Sequence, residues 1–591
     1  MSRTVMDDTP RKAPGFLSHA RLIGFITLIS RLVGLAREMV GAYYFGANAI
    51  WAAWKVAFTI PNLFRKLLGE GALSAAFIPL YAQAVKRQDE KNTYAEGAVP
   101  LEIDCNGPPA GALHIDAPVN AGLNSPGDFA AASVNVLVFL LILVTAVGEA
   151  ILLALMMFAP LRPDHLLTVK LSMIMLPYVL LVCGTAFLSA VLQVHGRFAV
   201  AAATSIVLNL CLIAAIVSSA RLFDLQNPSG QESAVRWLSW SVLVSGVIQV
   251  AMLVPSLHAV GFRFRFMTAI WTPAVRRMLQ MTAPVAVGAG VLQIGVLMDK
   301  GLAIALSEAP NQSTMHPFGM SLRLPMAEGA AARLDLAQFM YQFPLGVFAI
   351  ALATAIFPRL AREASAENAP GPRSTLQATN EFRAVLRRGI EAALFLGIPA
   401  SAGMVLVATP AARLLFQHGQ FTSDDARWVA LSTAIYSSAI WAFSLLQIIN
   451  RAYYALHDAL TPLKWVVWNL LINLVVEIPL LWTPLRESGM AVGTLVSFTI
   501  QSLGMLWLLS RRVGGLGLRS ILPGILKMLV ATITMTVACL GIAASPIYPA
   551  AESKSGWAAQ LMLLMTTGAA VYFGACLVLG VNVPGWIRRR A

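Results

Sequence analysis

Residues 28–46 read LISRLVGLAREMVGAYYFG, an apolar stretch of helical length interrupted by Arg31, Arg37 and Glu38. An ionised side chain inside a membrane helix costs roughly 3 kcal/mol unless it meets protein or water. A run this apolar that still keeps three charges therefore reads as a membrane helix lining a cavity. The whole chain agrees with that reading. Of 591 residues, 57% are hydrophobic and 12% charged, and the mean hydropathy is +0.70. Soluble domains carry about 25% charged residues, so a soluble enzyme and a disordered chain are both excluded. A polytopic membrane protein remains.

Apolar runs set against turn and charge punctuation predict fourteen helices. They cover 20–45, 49–84 (broken near Pro61), 129–158, 166–195, 198–220, 235–257, 282–307, 335–358, 389–415, 425–450, 460–482, 489–510, 521–543 and 557–582. Only helices and closed barrels satisfy their backbone in lipid, and these runs are too long for barrel strands. The expected fold class is an all-α integral membrane bundle of about 14 transmembrane helices. The opening MSRTVMDDTPRKAPG is polar and no small-residue cleavage pattern follows the first apolar run, so no signal peptide is expected.

The net charge of +14 has its plainest source in basic loops. Counted with the N-terminus inside, 26 lysines and arginines fall on the cytoplasmic side and 10 on the other. The bias places both termini in the cytoplasm of a multi-pass protein of the inner membrane and argues against a nucleic-acid partner. Two polar segments, 86–127 inside and 308–333 outside, read as flexible inserts. Cys183, Cys211, Cys539 and Cys576 lie in apolar runs and Cys105 stands alone, so no disulfide framework or metal-binding CxxC spacing is present.

The informative residues are charges within the spans. Arg31 and Arg37, six apart, are separated by about 120° around a helix and can line two walls of one cavity, while Glu38 points about 100° from Arg37. The second run carries Lys55, then Arg65, Lys66 and Glu70 after Pro61; Lys66 and Glu70 have the spacing of a stacked pair. Asp299 and Lys300 interrupt the seventh run, and Glu149, Glu391 and Glu477 read as isolated acids. The excess of cations in the first two helices points to an anionic ligand, and the planar guanidinium suits phosphate or pyrophosphate. No Ser/His/Asp set, HExxH-type motif or phosphate loop appears, so no catalytic residue, metal or cofactor is expected. Prolines 61, 177, 284, 344 and 399 each permit a kink.

The segments SRLVGLAREMVGAYYFGA (30–47) and VAFTIPNLFRKLLGEGALSAAFIPLYAQ (56–83) resemble the N-terminal signature of the MurJ/MviN lipid II flippases, within the multidrug/oligosaccharidyl-lipid/polysaccharide exporter superfamily. PYVLLVCGTAFLSAVLQVHGRFAVAAATSIVLN (177–209), YQFPLGVFAIALATAIFPRL (341–360), LLFQHGQFTSDDA (414–426) and RAYYALHDALTPLKWVVWNLLINL (451–474) extend the resemblance along the chain apart from the two inserts.

The resemblance implies alternating-access flipping of lipid II, an undecaprenyl-pyrophosphate disaccharide pentapeptide, for peptidoglycan synthesis. It implies a cytoplasmic tail at 1–19, a lobe at 20–257, a basic linker at 258–281 and a second lobe at 282–482 completed by helix 12 at 483–510. The final helices at 521–582 would hold the lipid tail, and 583–591 is a basic tail. Arg31, Arg37 and Arg65 match family headgroup contacts, and Glu70 matches a family acid. Glu38, Asp299 and Lys300 complete the candidate site. Membrane lipids, cell-wall synthesis machinery, and coupling to an ion or the membrane potential are the further partners considered.

Two departures stand out. Ala52 takes the place of a family acid and Phe339 that of a family arginine, with Arg333 or Lys300 as candidate stand-ins for the lost cation. They leave open an exporter of another polyprenyl-linked glycan or a small molecule, or a transport-inactive scaffold.

Overall fold

The computed structural model describes residues 16–67, 73–95, 126–263, 265, 271–309, 312–315, 321–346, 350–366, 375–550 and 553–581. The helices of the first half are α1 (Phe16–Phe45), α2 (Ala49–Phe64), α3 (Leu73–Ala95), α4 (Pro126–Phe158), α5 (Pro163–Met175), α6 (Tyr178–Val194), α7 (Phe198–Leu222) and α8 (Pro228–Ala259). The second half has α9 (Pro273–Ala305), α10 (Ala330–Pro344), α11 (Ile350–Ala366), α12 (Thr375–Phe416), α13 (Ser423–Ser437), α14 (Ile440–Ala455), α15 (Leu460–Leu481) and α16 (Ser488–Arg512). A hairpin of α17 (Leu522–Ala543) and α18 (Lys554–Val578) closes the chain and packs on α12.

In their described residues all fourteen expected runs are helical, but four of them hold two helices each. Pro177 sits at the break between α5 and α6, which bend by 44°, and Pro344 ends α10. Pro61 lies inside α2, four residues before its C-cap. Pro284 and Pro399 lie inside α9 and α12 without ending them. The break between α13 and α14, bent by 42°, has no proline and falls at Ser438–Ala439. Local chemistry marks the starts. Asn48 accepts from the Trp51 amide at the head of α2, and Thr422 and Asp425 form a reciprocal capping box on α13.

The two halves follow one packing plan. In the first, α1 packs on α7, α2 on α5, α3 on α6 and α7 on α8. In the second, α9 packs on α15, α10 on α13, α11 on α14 and α15 on α16. The broken helices occupy matching places: α2–α3 corresponds to α10–α11, and α5–α6 to α13–α14.

Two expectations about the inserts need correction. Helix α3 continues to Ala95, so the first insert is not irregular from residue 86; residues 96–125 lie outside the described residues. In the second, β1 (Thr314–Met315) pairs antiparallel with β2 (Leu322–Arg323), and Ser307 bridges Met326. This segment binds its own backbone groups and ends in α10 at Ala330, so its described part is folded rather than flexible.

The halves meet on the face opposite the basic loops. There Phe45, Trp51, Leu334, Phe416, Phe421 and Ala426 belong to one buried apolar core. On the basic face the second half has a separate core, built from Leu360, Phe382, Ile449 and Leu509 with the α17–α18 hairpin. One face is thus sealed across the halves, while on the other the halves meet through α9, which packs on α3 and whose Ala274, Val275 and Met278 join the core of the first half. The seal is close: the Gln420 amide donates to the Tyr43 carbonyl at 2.9 Å and the Ala49 amide to Glu328 Oε1 at 3.0 Å. Gly329 has φ +79°, and a Cβ there would overlap the Ala47 carbonyl. Arg162, from the α4–α5 connection, donates to the carbonyls of Ile304 and Ser307 at 3.0 and 3.1 Å, which ties the end of α9 to the first half.

Candidate functional site

Between the halves lies a buried chain of charges. Arg37 on α1 donates to Asn209 Oδ1 on α7 at 3.0 Å, lies over the Phe58 ring at 5.9 Å, and pairs with its neighbour Glu38. Glu38, 3% exposed, also pairs with Lys55 on α2. Lys55, 5% exposed, reaches across to Asp335 Oδ2 on α10 at 2.9 Å. The other oxygen of Asp335 accepts from Lys300 on α9 at 2.5 Å, and Lys300 also donates to Thr59 Oγ1 at 2.9 Å. The chain runs Asn209–Arg37–Glu38–Lys55–Asp335–Lys300 and crosses from one half to the other at Lys55–Asp335. Its ionised groups sum to three cations and two anions.

The sequence reading placed Glu38 away from Arg37. The backbone directions do diverge, but the guanidinium is long enough to fold back onto the adjacent carboxylate. Arg31 stands outside the chain. Its guanidinium lies against Gly346 at the α10–α11 break, where any Cβ would overlap it, and among the described residues it forms no ion pair. Arg31 and Arg37 therefore do not act on one point. Arg65 is elsewhere again: its Nε donates to Asn62 Oδ1 at 2.9 Å, and it lines a polar chamber inside the first half. Glu70 lies outside the described residues.

Asp299, beside Lys300, faces another partner set. Asn473 on α15 donates to Asp299 Oδ1 at 3.3 Å and to Glu477 Oε2 at 2.9 Å. Glu477 is thus not isolated; it is fully buried, and its Oε1 and Asn473 Oδ1 have no hydrogen-bond partner. Two carboxylates share one neutral amide, which leaves the cluster suited to a cation or a proton. Among the described residues no group of three or more His, Cys, Asp or Glu side chains forms a metal centre.

These clusters are related by the repeat. The pair Arg37–Glu38 on α1 corresponds to Asp299–Lys300 on α9. Lys55 on α2 binds the second member of its pair as Asp335 on α10 does, and Asn209 on α7 binds the first member as Asn473 on α15 does; the likeness is one of partners, since matching Pro61 to Pro344 sets Ala52 opposite Asp335. Each asparagine holds the first member of its pair, and each second member binds the charge on the next helix. The constellation is the same in both halves, with every sign reversed.

The stand-ins considered for the missing arginine separate. Arg333 is 4% exposed and fully engaged: Nε and Nη2 donate to Glu487 at 2.5 and 2.8 Å, and Nη1 donates to Asp425 at 3.0 Å. It ties α10 to α13 and the start of α16 and does not reach the site. Lys300 belongs to the charge chain. The sequence reading missed Asp335, Asn209 and Asn473. The two departures, Ala52 and Phe339, lie about one helical turn from Lys55 and Asp335, the pair that crosses between the halves.

Phe339 itself lines an apolar cavity of about 530 Å³ between α1, α10, α12 and the α17–α18 hairpin, with Leu32, Phe343, Met535 and Tyr572.

Comparison with known proteins gives this architecture a family. A family model described as lipid II flippase MurJ matches residues 41–99 and 124–548. A probable lipid II flippase MurJ of Rhizobium tropici is 28% identical, covering 96% of this chain and 95% of its own. The lipid II flippase MurJ of Burkholderia cenocepacia is 26% identical over 96% of this chain and 97% of its own. The solved structure of a lipid II flippase MurJ in an inward closed conformation superposes with a TM-score of 0.67 at 18% identity, covering 94% of this chain and 98% of that one. With the family model spanning most of the chain, from residue 41 to residue 548 apart from 100–123, this protein belongs to the lipid II flippase MurJ family.

Proposed function

We propose that this protein flips lipid II from the cytoplasmic to the outer leaflet of the inner membrane, and that Arg31, Arg37, Lys55, Asp335 and Lys300 handle the headgroup. The observation that carries the reading is the Lys55–Asp335 pair, which joins the two halves inside the membrane through groups a pyrophosphate can replace. An anionic headgroup arriving from the basic face competes with Asp335 for Lys55 and Lys300. A buried pair is sustained by mutual attraction against desolvation, so a second anion that takes the lysines loosens the tie between the halves. The sealed face can then open, while the polyprenyl tail rests in the apolar cavity beside Phe339. No covalent step is involved.

A ligand shifts such an equilibrium only by binding the two states differently, so net transport draws on another gradient. Asp299 and Glu477 are the groups to couple it, because their paired carboxylates take up a cation or proton in one state and release it in the other. The basic face is assigned to the cytoplasm from the 26:10 distribution of lysine and arginine. The scaffold reading loses ground, since one cation and one acid still meet between the halves as Lys55 and Asp335, with their signs exchanged relative to the family charges missing a turn away at Ala52 and Phe339.

The test is rescue of a bacterium depleted of its own lipid II flippase, with outer-leaflet lipid II scored directly. Restored growth and restored outer-leaflet lipid II are expected. A well-expressed protein that restores neither would overturn the reading.

A further inference from the structure

Arg31 forms no ion pair among the described residues, yet its guanidinium has a shaped resting place. Helix α1 runs from the basic face to the sealed one, so Arg31, six residues before Arg37, lies about 9 Å nearer the basic face. Leu32 and Leu35 share the apolar cavity with Phe339, Phe343 and Pro344. At this level α1 of the first half therefore runs beside the end of α10 in the second.

The end of α10 is open. Beyond Pro344 the backbone widens into a π turn at Leu345–Gly346, and α11 starts only at Ile350. A helix C-terminus holds carbonyls without intrahelical partners and a partial negative charge that favours a cation. The matching break in the first half carries its own cation, Arg65, four residues after Pro61. Four residues after Pro344 the sequence has Phe348, so the second break receives its cation from α1. Beside Gly346 the first atoms that a Cβ would meet are Nη1, Nη2 and Cζ of Arg31, the two nitrogens equally close. The guanidinium thus faces the glycine with its fork end, in the space that any other residue would fill with a side chain.

Such a dock has a consequence for binding. A free arginine side chain loses much rotamer freedom when a ligand fixes it, and one already held loses less. Building on the function proposed above, we infer that Gly346 is a positioning residue for Arg31. By carrying no side chain it lets the open end of α10 hold this cation ready for the pyrophosphate of the headgroup. The dock belongs to one half and the cation to the other, so Arg31 is held only while α1 and α10 stay adjacent.

The test is a double-mutant cycle, read by calorimetric binding of inorganic pyrophosphate to the full chain in lipid nanodiscs. Gly346→Ala displaces the guanidinium and should weaken pyrophosphate binding about three- to tenfold, the ordering cost of one long side chain. In an Arg31→Ala background the same substitution should add no more than about twofold, because the atoms it meets are gone. If Arg31→Ala binds too weakly to measure, Arg31→Lys, which keeps the charge without the fork, serves as the background with the same expectation. If Gly346→Ala lowers the melting temperature, the double variant should restore it. Unchanged affinity in Gly346→Ala, an equal loss in both backgrounds, or a melting temperature that stays low in the double variant would overturn the positioning role. Outer-leaflet lipid II, measured alongside, separates the two claims. Wild-type flipping with an additive cycle removes the positioning role and keeps the flippase, whereas a wild type that neither binds pyrophosphate nor flips removes the flippase.

Discussion

Helices α1–α8 and α9–α16 repeat one packing plan, broken helix for broken helix, yet the charges they hold in the membrane are opposite. The first half sets Arg37 and Lys55 around Glu38, with Asn209 as the neutral partner. The second sets Asp299 and Asp335 around Lys300, with Asn473 in the matching place. A shared scaffold with one sign pattern would make the halves repel at their contact. Reversed signs let Lys55 and Asp335 bind each other, and they give each half a different ligand: anions for the first, cations or protons for the second. The comparison teaches that the tie between the halves and the selectivity of each half rest on the same residues.

The strongest way to break this symmetry is Asp335→Asn. Among the described residues Asp335 is the one side chain that forms an ion pair with both Lys55 and Lys300, and removing one partner of a buried pair costs about 3 kcal/mol or more. The melting temperature should fall and outer-leaflet lipid II should disappear at matched expression. Unchanged melting would mean that the cross-half tie contributes little.

The sealed face gives the next largest effect. Gly329→Val forces a β-branched residue into a positive φ and against the Ala47 carbonyl, at a cost of about 1–3 kcal/mol for the backbone alone. Spin labels on the outer ends of α2 and α10 should report a longer separation than in wild type. An unaltered distance would show that the seal does not depend on this approach.

The paired asparagines sharpen the comparison further. Asn209→Ala should weaken binding of inorganic pyrophosphate by about tenfold, the loss of one hydrogen bond to a charged group, and leave the ion dependence of flipping alone. Asn473→Ala should do the reverse. If both variants behaved alike, the halves would not be specialised. The smallest effect is expected outside the symmetry. Arg512 pairs with Asp458 on the basic face with its side chain 48% exposed, and Arg512→Ala should change stability by less than about 1 kcal/mol.

The architecture was largely legible in the chain because lipid punishes every unpaired backbone group, so long apolar runs can only be helices. Where a run breaks was legible only in part. Pro177 and Pro344 mark two breaks, whereas the α13–α14 break at Ser438–Ala439 carries no such residue. At the site, Arg37, Glu38, Asp299 and Lys300 are visible because each interrupts an apolar run. Asp335 escaped notice because it lies at the first residue of the expected eighth run, where a loop acid is unremarkable. Asn209 and Asn473 carry no charge, so hydropathy hides them, and Glu477 seemed isolated because Asp299 lies 174 residues from the asparagine that joins them. Arg65 illustrates the opposite limit: its charge was plain, but only the packing of α6, α7 and α8 shows that it faces a separate chamber.

The most direct test of the central claim is the affinity of inorganic pyrophosphate for Asp335→Asn beside wild type, measured by calorimetry on the full chain in nanodiscs. If Asp335 occupies the lysines that the headgroup must take, removing its charge should tighten pyrophosphate binding by about tenfold, a coupling of ordinary size, even as flipping is lost. Weaker or unchanged binding would contradict competition between Asp335 and the substrate.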